Sequence, residues 1–235
     1  LLNMCESFEK CVAENKENIA LSFKNENITY DELNRVSSMK YYNSDDLNNV
    51  KESYTYTYDK NSNIRSEKIV NNYPTKDSEK VDETRLYEYD NLNRLTNSAI
   101  VNNKTNKTSY YSYTYDKVGN MTSRAEILAD GSKYGTVNSY NELNQLKTSI
   151  TSDTTTGKET SNKTYTYDEN GNNTKEVDSV KNITKEMTYD VDNRLDTYTQ
   201  IEGTKTTTQN NLYNGNGQRV QKLEGDNTIN YFYQN

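Results

Sequence analysis

The residues of this 235-residue chain best suited to chemistry are five aspartates: Asp59, Asp90, Asp116, Asp168 and Asp190. Two carboxylates whose environments push their pKa values apart can serve as general acid and general base. Here each aspartate occupies the same place in a recurring phrase. It reads YTYDKNSN at Tyr56–Asn63, YEYDNLNRL at Tyr87–Leu95, YTYDKVGN at Tyr113–Asn120, YTYDENGN at Tyr165–Asn172 and TYDVDNRL at Thr188–Leu195. A catalytic site needs one convergent constellation, not one carboxylate per repeat. The expected role is therefore turn capping, shared with Gly119 and Gly171 of the same phrases. The chain has no histidine, which removes the commonest general base, the commonest metal ligand and the usual partner of a nucleophilic serine or cysteine.

Metal chemistry fares no better. Asp59-x-Asn61-x-Asn63 and Asp168-x-Asn170-x-Asn172 open like an EF-hand loop, but Ile64 and Asn173 stand where its glycine belongs. Val70 and Ser179 replace its closing glutamate. Cys5 and Cys11 would face different sides of a helix, so neither a mutual disulfide nor a metal site is expected. No cofactor, metal or enzymatic activity follows from these residues. Exposed tyrosines could stack on sugars, which keeps a carbohydrate- or cell-wall-binding module open as an alternative.

The elements that position the aspartates are strands. YTYTYD at Tyr54–Asp59 sets tyrosines on one face and threonines on the other, the period of a pleated strand. Asp followed by Gly or Asn is turn chemistry, because the carboxylate folds onto nearby N–H groups and Gly or Asn accepts positive φ. A second strand follows each turn. The unit is thus a β-hairpin, joined to the next by polar stretches such as NNYPTKDSEKVDET and TSDTTTGKETSNKT. Further copies are SYNELNQL (Ser139–Leu146), LYNGNGQRV (Leu212–Val220) and YFYQN (Tyr231–Asn235). Gly-Asn turns at Asn120 and Asn172 interleave with Asn-x-Leu turns at Asn93–Leu95, Asn144–Leu146 and Asn193–Leu195, which points to a pair of hairpins as the structural step. The 22 tyrosines are expected to fill the core.

Residues 1–38 read differently. Helical spacing at Phe8, Cys11 and Val12 is followed by an apolar strand (IALSF), and Thr29 with Glu32 forms a capping box that predicts a second helix through Leu33 and Val36. The expected organisation is an α/β fragment at 1–38, a linker at 39–53 and a hairpin array at 54–235. The net charge of −7 lacks the basic stripe that nucleic acid requires. No apolar run spans a membrane, and no signal peptide is visible at the start of the chain.

On these phrases, residues 41–235 resemble the Rhs/YD-repeat (teneurin-like YD-shell) family, marked by Tyr-Asp followed by Gly-Arg-Leu or Gly-Asn. The resemblance implies a mainly β fold, an open and incomplete shell of stacked antiparallel hairpins. It also implies a structural, non-enzymatic role in a bacterial surface or secreted protein. Such a shell encases a C-terminal toxin or supports adhesion, so the implied partners are further repeats, a core region, and an encapsulated toxin or a cell-surface glycan. Extracellular or cell-surface placement of the full-length protein follows from the same resemblance. Residues 6–38 resemble the start of a nonribosomal peptide synthetase adenylation domain through Phe8 with Glu9, ENKENIAL at Glu14–Leu21 and ITYDELN at Ile28–Asn34. The phosphate loop and catalytic lysine segment of that family have no counterpart here, which leaves a non-functional fusion remnant as a further alternative.

Overall fold

Alternating Tyr and Thr, with few residues suited to a helix interior, should give strands and little else. A computed structural model describes residues 21–23, 26–43 and 46–233, and within them all regular structure is β. The strands are β1 (Leu21–Phe23), β2 (Glu26–Tyr30), β3 (Val36–Asn43), β4 (Asp46–Tyr58), β5 (Ile64–Asn71), β6 (Val81–Tyr89), β7 (Leu95–Asn102), β8 (Lys107–Tyr115) and β9 (Met121–Ile127). They continue as β10 (Lys133–Tyr140), β11 (Leu146–Asp153), β12 (Glu159–Tyr167), β13 (Asn173–Asp178), β14 (Ile183–Tyr189), β15 (Leu195–Glu202), β16 (Lys205–Tyr213), β17 (Arg219–Glu224) and β18 (Asn227–Asn230).

The chain divides into two compact units, residues 1–112 with 126–131, and residues 113–125 with 132–235. In the first, each strand from β1 to β7 pairs antiparallel with its successor, and β7 pairs with β8 through Asn97↔Ser112 to Asn102↔Lys107. In the second, β10 to β18 form the same meander. Register is fixed by a repeated device. At the tyrosine preceding the first turn residue, an aspartate or an asparagine, the ladder slips by one residue, between Thr57 and Tyr58, Glu88 and Tyr89, Ser139 and Tyr140, Thr166 and Tyr167, Thr188 and Tyr189, and Leu212 and Tyr213. A β-bulge of this kind sharpens the local twist and re-aims the side chain beside it.

The expected tyrosine core is not formed. Among the described residues no apolar side chain is buried, and the buried side chains are polar: Ser161, Asp178 and Asn211. Tyr54, Tyr56 and Tyr58 are half-buried while Thr55 and Thr57 are exposed, so the period of two holds without a sealed interior. A tyrosine keeps its hydroxyl usable in such a place, which a fully apolar core would forbid without a partner.

The helix expected from Thr29 is also corrected. Residues 31–35 are the turn of the first hairpin, β2–β3, with Tyr30 paired to Val36 across it and a bulge between Thr29 and Tyr30. Asn34 has φ +58°, which no α-helical residue can have. The Thr29 hydroxyl bonds the Ser37 and Ser38 hydroxyls across the ladder (both 2.8 Å) instead of capping a helix. Thus ITYDELN, the clearest part of the adenylation-domain resemblance, is itself a repeat hairpin. The linker expected over 39–53 is occupied by β3 and the first half of β4. Cys5, Cys11 and the first expected helix lie outside the described residues. No helix among those residues is long and apolar enough to cross a membrane.

Candidate functional site

Each of these hairpins reverses direction over the five residues between its strands, and the aspartate supplies the means. The Asp59 N–H donates to the Asn63 carbonyl (2.9 Å), and the Ser62 N–H donates to the Asp59 carbonyl (3.2 Å). Asp59 Oδ1 accepts the N–H groups of Asn61 (2.8 Å) and Asn63 (2.9 Å), and its Oδ2 accepts from Asn63 Nδ2 (3.0 Å). Asp116 and Asp168 are held alike, by the N–H groups of Val118 and Asn120 and of Asn170 and Asn172, with the Asn120 and Asn172 amides on Oδ2. Asp90 and Asp190 use arginine: Arg94 Nε and Arg194 Nε each donate to the second carboxylate oxygen at 2.7 Å. The fourth turn residue stands in the left-handed region, as Gly119 (φ +99°) and Gly171 (φ +87°) do. Asn93, Asn144 and Asn193, at +59° to +60°, do the same with a side chain retained.

The same geometry occurs at three positions that the aspartate pattern left out. Asp31 accepts from the N–H groups of Leu33 and Arg35 and from Arg35 Nε (2.7 Å). At Asn141 and Asn214 the carboxylate is replaced by an amide, and the residue four places on changes with it. Asn141 Nδ2 donates to Gln145 Oε1 (2.6 Å), and Asn214 Nδ2 donates to Gln218 Oε1 (2.9 Å). An amide has only one acceptor oxygen, already spent on the backbone, so its partner must supply an acceptor. Spacing Asn to Gln by four residues was the available signal.

Electrostatics follow from these bonds. The Asn63 amide and the N–H groups beside Asp59 hold its carboxyl below the ordinary aspartate value, and the Asn172 amide does so at Asp168. At Asp90 and Asp190 the N–H groups of Arg94 and Arg194 contribute first and their guanidinium groups next. At Asp116 partial desolvation pushes upward and the Asn120 side chain and N–H groups outweigh it. A carboxylate that is committed to its own turn and titrates low is a structural acceptor and a poor proton carrier near neutrality. Among the described residues no group of three or more acids or thiols is placed to hold a metal.

At seven of the repeats the tyrosine that closes or follows the outgoing strand carries a bond between hairpins. Tyr58 Oη donates to the Val36 carbonyl (2.7 Å) and Tyr89 Oη to that of Ile64 (2.9 Å) in the first unit. In the second, Tyr140 reaches Met121 (2.8 Å), Tyr167 Leu146 (2.9 Å), Tyr189 Asn173 (3.0 Å), Tyr213 Leu195 (2.9 Å) and Tyr233 Arg219 (3.0 Å). The acceptor is always the first residue of the returning strand in the preceding hairpin. Desolvation raises the pKa of Tyr58, Tyr89, Tyr167 and Tyr189, which keeps each phenol a donor. A second set of turns lies on the opposite edge. Asp153 Oδ1 accepts the N–H groups of Thr155 and Thr156, and Asp178, only 2% exposed, takes the Ser161 hydroxyl at 2.6 Å together with the Val180 and Lys181 N–H groups. Hence TSDTTTGKETSNKT is largely the end of β11, a tight turn and β12.

Neither a protein-family model nor a curated protein matches the sequence. Among solved structures, a crystal structure of TcdB2-TccC3-TEV matches at 14% identity and a TM-score of 0.55; it covers 88% of this chain, which spans only 12% of that one. The Photorhabdus luminescens Tc holotoxin pore matches at 12% identity and TM-score 0.42, covering 88% and 14% of the two chains. A porin-like protein from Bacteroides uniformis gives 13% identity and 0.43, with 77% and 87% covered. The last two scores fall short of a common fold. At such identities the first shows the fold alone: antiparallel hairpins stacked in series.

Proposed function

We propose that this chain is a non-enzymatic wall segment of a larger YD-repeat shell protein, acting outside the cell. The observation that carries the reading is the tyrosine hydroxyl series, in which the tyrosine of seven repeats is bonded to the hairpin before it. Residues engaged in building the array are thereby withdrawn from catalysis. The fold shared with part of TcdB2-TccC3-TEV supports the shell reading. The partners of such a wall are further repeats and a core region, and its cargo or adhesive element would be a separate domain, a toxin in the bacterial case.

The test is the coding sequence on both sides of this segment, followed by electron microscopy of the whole product. Further Tyr-Asp repeats and a hollow particle are expected. Flanking sequence without repeats, or ATP–pyrophosphate exchange by the purified chain, would defeat the proposal.

A further inference from the structure

The turns fall into two classes by the residue in their left-handed position, and within each unit the classes alternate. Their left-handed residues run Asn34, Ser62, Asn93 in the first unit and Gly119, Asn144, Gly171, Asn193, Gly217 in the second. The residue that follows sets how far each turn reaches toward the next. Gly217 is followed by the longer Gln218, but after Ser62, Gly119 and Gly171 comes a short asparagine: Asn63, Asn120 or Asn172. Its Nδ2 donates to Oδ1 of the left-handed asparagine in the next turn, with Asn63 to Asn93 at 2.8 Å, Asn120 to Asn144 at 3.0 Å and Asn172 to Asn193 at 2.8 Å.

After the asparagine turns the following residue is long: Arg35, Arg94, Gln145 or Arg194. Arg35 lies over the Tyr58 ring, its Cζ 4.4 Å from the centroid, and its Nη1 bonds the Asp59 carbonyl and Ser62 Oγ (both 3.1 Å). Arg194 lies over the Tyr213 ring at 5.0 Å. At Gly171 the long group stands where a left-handed side chain would enter, and at Gly217 it comes within ordinary van der Waals contact of one. A Cβ on Gly171 would lie 3.3 Å from Gln145 Nε2, and one on Gly217 would lie 3.8 Å from Arg194 Nη1.

From this complementarity we infer a docking code between successive hairpins: a long-reaching turn accepts only a neighbour with Gly or Ser at the left-handed position, and a short-reaching turn accepts one with Asn. The face that one hairpin offers the next is thus selective, and its fitting partner is a hairpin of the opposite class. The repeating unit of assembly is the hairpin pair. This holds whatever the array encloses.

A double-mutant cycle in the full chain tests the code. Gly171→Asn sets a side chain against Gln145 and should lower the melting temperature by about 2–4 °C. With Gln145→Asn already present, the same change should cost clearly less, because the shortened residue can pair with the new amide. Strain from positive φ is common to both backgrounds and cancels. Equal losses in both would overturn the inference. Whole-hairpin deletions provide a second reading. Removing residues 168–189 puts two asparagine turns side by side, whereas removing 141–189 keeps the alternation. The longer deletion should melt at the higher temperature, and the reverse order would refute the code.

Discussion

Replacing Tyr167 by Phe isolates the bond between hairpins from everything else the ring does. Phe keeps the ring and its contacts, so the loss is confined to one hydroxyl that donates to the Leu146 carbonyl at 2.9 Å. A neutral intramolecular hydrogen bond contributes about 0.5–1.5 kcal/mol net, and up to ~3 kcal/mol is lost if the acceptor is left dry and unpaired. The Leu146 carbonyl lies in a partly exposed ladder, which places the expectation near ~1 kcal/mol. For a chain of this size that is a fall of about 2–4 °C in melting temperature. The assay is calorimetry on Tyr167→Phe beside Tyr110→Phe, whose residue is 54% exposed and lies outside the series. The control should stay within about 0.5 kcal/mol of the parent. If the two variants melt together, the tyrosine hydroxyls do not join the hairpins.

Alkaline titration gives a second check. Tyr54 is pushed up to about 12 by its bond to Glu52, and Tyr56 to about 12 by desolvation and then Glu67. Stability tied to these raised phenols should be complete below the ordinary tyrosine value of 10.0 and fall as the pH rises toward 12, and a flat pH–melting curve over that interval would contradict it. The turn aspartates work in the opposite sense: their contribution is present above 3.8 and lost as the pH drops through their lowered values. Asp190→Asn should lower the denaturation midpoint because the Arg194 Nε loses its acceptor. Adding Arg194→Gln should restore most of it by recreating the Asn141–Gln145 pair, and denaturant melts showing no rescue would sink that explanation. Calcium should leave the melting temperature at its EDTA value, since Asp59 and Asp168 spend their oxygens on their own turns.

The strands and turns were legible because two local signals coincide. Tyr-Thr alternation sets period two, and Asp-x-x-Gly-Asn supplies both a carboxylate and a residue tolerant of positive φ. The alternation of turn types was readable too, although not its cause, which depends on side chains from different hairpins. The first hairpin was hidden by a competing local reading. Thr29 and Glu32 fit a capping box, yet Asp31, Asn34 and Arg35 match the turn at Asp90, Asn93 and Arg94 residue for residue. Pattern comparison with the other turns would have outweighed the cap. The core expectation failed for a different reason: hydrophobic periodicity tells which face a tyrosine takes, not how deeply that face is covered. Nor does any one-dimensional signal reveal that Tyr189 Oη will meet the Asn173 carbonyl, because the acceptor is a backbone atom of another hairpin.

The span of those bonds has mechanical consequences. The hydroxyl of Tyr58 closes a loop of 22 residues and that of Tyr213 one of 18, so each tie reaches only to the adjoining hairpin. With no apolar nucleus among the described residues to be pulled apart as a whole, tension on the chain would be resisted by one rung at a time. Such a polymer yields in a sawtooth of small, nearly equal steps, and a broken rung can reform without the rest having come undone. Gene duplication could lengthen it in whole turns without redesigning an interior. A fabric of this kind can be extended, cut and mended by the row.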